Sequence, residues 1–210
     1  PIVNFIINSL PQFPNTGKIK VLDYACGAGH FLTEFVKHYP KTKIYGIEKS
    51  QTLSQVAKIA TIINGCQDSR IVFKDSLSHI NTMDVRYQGF DKESFDCIIA
   101  NPPYSVKGFL NTMEQKDRDQ FELAKTVEEK AYATNRSIEC FFVERAQHFL
   151  KKDGLMGIVL PSSLLSNENI YTKTREIIFA NFNILAIAVM NSRTFGSTGT
   201  NTVILFAQKV

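Results

Sequence analysis

Short apolar runs alternate with amphipathic stretches along the 210 residues of the chain. Ile19–Ala25 reads as a buried strand, and Phe31–Tyr39 as a helix with Phe31, Leu32, Phe35 and Val36 on one face. Lys43–Glu48 follows as a strand and Leu53–Ile63 as a helix, with apolar residues at Leu53, Val56, Ile59, Ala60 and Ile63. Ile71–Phe73 is a short third strand, and Phe95–Ala100 a fourth, ended by Asn101-Pro102-Pro103. The spacing then predicts a helix over Ile138–Leu150, a strand over Leu155–Leu160, a helix over Thr172–Ala180 and strands over Ile184–Met190 and Thr202–Gln208. The opening Ile2–Ile7 reads as the start of a helix in a fragment or processed chain, because the sequence begins at Pro1. Strands alternating with helices predict an α/β domain whose parallel sheet is covered on both faces. The last two strands have no helix between them, and the polar, glycine-containing 191–201 suits the loop of an antiparallel hairpin.

One stretch breaks this rhythm. Lys107–Arg136 lies between a strand end and the next helix, and its six basic residues face six acidic ones. The balance argues against an arm that grips nucleic acid; a mobile insertion or lid, or a segment ordered by a partner, fits it better, and a solvated helix with no special role fits it equally. Composition sets broad limits. Hydrophobic residues make up 44% and charged residues 21%, which suits one globular domain with a buried core. No apolar run is long enough to span a bilayer, and the first residues lack the basic flank of a signal peptide. The four cysteines and four histidines are scattered without metal-ligand spacing, so neither a metal nor a membrane is expected and reduced thiols in the cytoplasm are. A net charge of +4 permits a nucleic-acid partner without demanding one.

The candidate chemistry sits at strand ends. Asp23-Tyr24-Ala25-Cys26-Gly27-Ala28-Gly29 follows the first strand and precedes the first helix of the alternating region. Glycines there let the backbone turn sharply and approach a ligand. Glu48 ends the second strand, where a carboxylate can chelate a ribose diol, and Asp75 follows the third, where one can accept from an adenine amino group. Taken singly, each is most simply a solvent-facing turn residue; as an ordered set they outline an adenosine pocket. No Gly-Lys-Ser/Thr follows the loop, and the third glycine of a dinucleotide fingerprint is missing. The pocket therefore suits a nucleoside without pyrophosphate, and S-adenosylmethionine is such a ligand. Asn101-Pro102-Pro103-Tyr104 closes the fourth strand. Methylating an exocyclic amine requires its lone pair to leave conjugation with the ring. The Asn101 side-chain oxygen and the Pro102 carbonyl supply two acceptors for the amine hydrogens, and the two prolines stiffen the turn that aims them. Tyr104 offers a ring face for an unstacked base.

With these motifs the chain resembles the N6-adenine DNA methyltransferases, most closely the modification subunits of type I restriction systems and fused restriction-modification enzymes. The match runs through Asp23–Gly29 with Phe31, Asn101–Tyr104, Leu160-Pro161-Ser162-Ser163, and Phe195 with Gly199-Thr200-Asn201-Thr202. The resemblance implies a class I S-adenosylmethionine-dependent methyltransferase, a Rossmann-like, mostly parallel sheet ending in an antiparallel hairpin. It implies a cofactor site of Asp23, Ala25, Cys26, Gly27, Gly29, Phe31, Glu48, Asp75 and Asn101, and catalysis by Asn101, Pro102, Pro103 and Tyr104. It also makes Phe195 a second stacking face for a flipped adenine, beside Tyr104. Residues 1–210 are then expected to be the catalytic domain of a larger protein whose N-terminal helical and DNA-recognition regions lie elsewhere. The implied partners are double-stranded DNA and specificity and restriction subunits or fused domains. Asn-Pro-Pro-Tyr also occurs in protein glutamine-N5 methyltransferases, and RNA guanine-N2 methyltransferases are a further alternative. A non-catalytic methyltransferase-like subunit that binds DNA is another.

Overall fold

The computed structural model describes residues 2–13, 18–66, 68–190 and 201–210. Its strands are β1 (Lys20–Asp23), β2 (Lys43–Glu48), β3 (Ser69–Phe73), β4 (Phe95–Ala100), β5 (Leu150–Pro161), β6 (Phe182–Met190) and β7 (Thr202–Lys209). They form one sheet in the order β3-β2-β1-β4-β5-β7-β6. The first five run parallel, while β7 is antiparallel to both β5 and β6. The mostly parallel sheet with a terminal hairpin is thus the expected one. Each strand extends within a few residues of its expected bounds, except that β5 starts earlier. Leu150 already pairs with Phe95, and the register then shifts before Leu155 pairs with Cys97.

Alternation along the central strands divides the core in two. Cys97 and Ile99 point to one face with Val21, Ile44, Leu155 and Val159. Ile98 and Ala100 point to the other with Leu22, Met156 and Ile158. The first face is covered by α1 (Ile2–Ser9), α2 (His30–His38) and α3 (Gln51–Ile63). Helix α3 packs in the opposite sense to its apolar spacing. Its buried residues are Ser54, Ala57 and Thr61, whereas Leu53, Val56, Ile59 and Ile63 are exposed, Ile63 by 78%.

The second face carries three short helices, α4 (Phe109–Thr112), α5 (Gln115–Arg118) and α6 (Glu122–Lys125), then α7 (Ile138–Phe149), α8 (Ser163–Ser166) and α9 (Ile170–Asn181). Helix α7 is buried over nearly its whole circumference. Against it lies the segment expected to be a mobile insertion, anchored through much of its length. Phe109 and Phe121 meet the Phe141 ring edge-on, at centroid distances of 5.0 and 5.3 Å. Glu144 of α7 accepts hydrogen bonds from the Glu122 and Leu123 amides at the start of α6, at 2.6 and 3.1 Å. The buried Asp117 accepts from the His79 amide at 2.7 Å. These residues form an outer layer on the core; the more exposed stretches are those next to Ser105 and near Glu129.

Candidate active site

The parallel strands deliver their carboxyl ends to one edge of the sheet, where open α/β sheets bind ligands. The glycine turn after β1 is built from local hydrogen bonds. Gly29 N–H donates to the Cys26 carbonyl at 2.7 Å, and Cys26 N–H donates to the Ile47 carbonyl at the end of β2 at 3.1 Å. Gly27 has φ +52° and open space where a Cβ would stand; Gly29 has φ +87°, and a Cβ there would lie 3.3 Å from Ala57. The first glycine leaves the turn accessible from outside, and the second lets α3 approach it closely.

Glu48 binds this turn to the next loop. One carboxylate oxygen accepts from Gly27 N–H at 2.9 Å and the other from Ser50 N–H at 2.7 Å. Both oxygens are oriented, and each keeps a lone pair for a further donor. Asp23 is buried, accepts from Ala25 N–H at 3.0 Å, and is pushed up to about 7 by burial, with the nearby Glu48 charge adding to the rise against the Ala25 hydrogen bond. Cys26 turns its thiol into the core, where its Sγ lies 2.9 Å from the place a Gly46 Cβ would take, and burial pushes that thiol up. Ala25 and Phe31 are half-buried against the two core clusters. Asp75 accepts from Leu77 N–H at 2.9 Å and pairs with Lys49 at 2.6 Å. The Ser76 hydroxyl donates to the Tyr24 carbonyl, tying the third loop to the first.

Asn101 follows β4, which lies beside β1 with Ile98 opposite Leu22. Asn101 and Tyr104 are half-buried, Pro102 buried and Pro103 exposed. The Tyr104 hydroxyl donates to the Asn101 side-chain oxygen at 3.2 Å, and burial, with the Glu139 charge, holds that phenol above its ordinary range. Two residues that sequence reasoning missed lie behind the tetrapeptide. Glu139, on the first turn of α7, accepts from Ser105 N–H at 3.1 Å and from the Tyr171 hydroxyl at 2.7 Å. The signal for it was a lone acid in the apolar run Ile138–Val143. Pro161 at the end of β5 pairs with Thr202 at the start of β7, and Ser162 N–H donates to the Asn201 carbonyl at 2.9 Å. Phe195, Gly199 and Thr200 lie outside the described residues. Among the described residues no group of acidic, histidine or cysteine side chains is placed to hold a metal ion. None of their helices is long and apolar enough to cross a membrane.

An open sheet of this order, with its glycine turn after β1 and an antiparallel strand inserted beside β5, is the class I S-adenosylmethionine-dependent methyltransferase fold. The chain superposes over its whole length on 58% of a Listeria monocytogenes protein assigned to that class, with a TM-score of 0.75 and 18% identity. The chain belongs to the N-6 DNA methylase family, whose model matches residues 1–210. It is similar to the modification methylase CviBIII of Paramecium bursaria Chlorella virus NC1A, with 25% identity over 191 residues, 90% of this chain and 42% of the relative. It is also similar to the methylase subunit of the type I restriction enzyme EcoEI of Escherichia coli, with 26% identity over 222 residues, 99% of this chain and 41% of the relative. The chain spans about two fifths of the length of these relatives.

Proposed function

We propose that the protein to which this chain belongs transfers a methyl group from S-adenosylmethionine to the N6 amine of an adenine flipped out of double-stranded DNA, as the modification activity of a restriction-modification system. The observation that carries this reading is Asn101-Pro102-Pro103-Tyr104 at the carboxyl end of β4, beside the turn and carboxylate formed by Gly27 and Glu48. The donor set fits the cofactor. An oriented carboxylate at Glu48 suits a ribose diol and Asp75 an adenine amine, while the turn 23–29 has no cationic side chain for a phosphate. When bound, S-adenosylmethionine supplies an electrophilic methyl group. The side chains hold the acceptor. Asn101 Oδ1 and the Pro102 carbonyl draw on the amine hydrogens, freeing the nitrogen lone pair for attack. Tyr104 already donates to Asn101 Oδ1, and the second lone pair of that oxygen remains for the substrate. The methylated nitrogen then releases one proton to water, so no strong base is needed. Tyr104 and Phe195 are the stacking faces in this reading. Specificity and restriction subunits or fused domains complete the assembly in the cytoplasm.

The test is single-molecule methylation mapping of DNA from cells expressing the full-length protein and its Asn101→Ala variant. The wild type should mark adenine at one recurring sequence. The variant should keep most of its cofactor affinity and lose on the order of a hundred- to a thousandfold in rate, the usual cost of removing one preorganised polar contact to a transition state. Marks on cytosine, or normal adenine methylation by the variant, would reject the mechanism.

A further inference from the structure

The turn that carries Asn101 and Tyr104 ends in a conformation that needs support. Ser105, the next residue, has φ +57°, a region that residues with a Cβ enter only where the surroundings hold them. Its N–H points at Glu139 Oε2, 3.1 Å away. Glu139 is fully buried, and its other oxygen receives the Tyr171 hydroxyl from α9 at 2.7 Å. Burying a carboxylate costs free energy unless donors satisfy it. Here one identified donor comes from the residue next to the tetrapeptide and the other from a helix packed on α7.

We propose that Glu139 is a positioning residue: its carboxylate clamps the Ser105 amide, while Tyr171 fixes the carboxylate, and together they hold the turn that aims Asn101 and Tyr104. This rests on the adenine-methylation reading. A side chain that only favoured the N-terminal end of α7 would affect stability and leave turnover alone. The clamp acts on the placement of the amine acceptors, where an error near 1 Å costs on the order of a hundredfold in rate.

The experiment uses the full-length protein with Glu139→Ala, Glu139→Gln and Tyr171→Phe. It measures kcat and KM on DNA, cofactor affinity, melting temperature, and hydrogen exchange at the Ser105 amide. Glu139→Ala should lose about a hundredfold in kcat, with cofactor affinity unchanged and faster Ser105 exchange. Glu139→Gln keeps an acceptor oxygen in the same volume and should recover most of the loss. Should the alanine variant fail to fold, Tyr171→Phe carries the test, with a smaller fall in kcat and faster Ser105 exchange. Wild-type kcat in folded Glu139→Ala or, failing that, in Tyr171→Phe would overturn the proposal. A wild-type protein that leaves adenine unmethylated would fall on the functional reading instead. The exchange measurement then decides the clamp alone: faster exchange in the variants supports it, and unchanged exchange overturns it.

Discussion

At the scale of single residues, the candidate cofactor edge is held by carboxylates with different electrostatic situations. Glu48 is half-buried and receives two backbone N–H groups. Asp23 is fully buried with one such bond, and desolvation favours its neutral form. Its pKa is therefore raised from 3.8 in the unfolded chain to about 7 in the fold. The stability it contributes is present below the lower value and is lost as pH rises through the higher one, because the folded protein must then bury an anion. Asp23→Asn keeps the hydrogen bond to Ala25 and removes the titration. Relative to wild type, the variant should gain stability as pH rises from about 4 to about 7, by a few kcal/mol at ~1.4 kcal/mol per unit of displacement. Melting curves of both proteins without cofactor across that interval check it, and parallel curves would refute the assignment.

At the scale of elements, α3 shows why apolar spacing alone misleads. Its contact surface is set by the glycine turn, which it approaches so closely that a Cβ on Gly29 would meet Ala57 at 3.3 Å. Only a small side chain fits at Ala57, and Ser54 and Thr61 lie with it on the buried face. Their hydroxyls lose little by burial: Ser54 donates back to the Gln51 carbonyl at 2.7 Å and Thr61 to the Lys58 carbonyl at 2.8 Å. The row of small residues at 54, 57 and 61 was visible in the sequence, but the larger apolar residues beside it gave the stronger signal. Ile63→Lys should accordingly change stability by less than about 0.5 kcal/mol, as at other exposed positions. Ala57→Leu should cost about 1–3 kcal/mol by overpacking and weaken cofactor binding by displacing the turn. Urea denaturation midpoints compare the two; an Ile63→Lys loss as large as that of Ala57→Leu would contradict the observed packing.

At the scale of the whole molecule, the surface charge bears on what the domain does alone. A net charge of +4 over 210 residues is a weak attraction for a polyanion, and the segment 107–136 is balanced in sign and partly committed to the core. Sequence reading needs base-edge contacts in addition to phosphate contacts. The isolated chain should therefore bind DNA without sequence preference, with dissociation constants on the order of micromolar or weaker at physiological salt and a steep salt dependence. Competition titrations with many duplexes check this. One duplex bound about a thousandfold more tightly than the rest, a ratio within the specific range, would put the recognition determinants inside this domain.

The sequence by itself determined the alternation of strands and helices and the terminal hairpin, because apolar period and chain punctuation are local properties. It also placed the candidate residues Asp23, Glu48, Asp75 and Asn101 at or just past strand ends, because each lies beside a short apolar run that reads as a strand. Tertiary structure decided which face of α3 is buried, since that depends on how near the glycine turn lies. It decided that residues 109–125 pack as a layer on α7, since Phe109 and Phe121 needed Phe141 as a partner. It turned the Cys26 thiol into the core, where Gly46 leaves room for it. It also brought Glu139 and Tyr171 to the back of the tetrapeptide, 34 residues on from Ser105 and a further 32 to Tyr171. A hydrogen bond between residues so far apart leaves no periodicity in the chain. Only the packing of α7 with α9 beside the loop that follows β4 creates it.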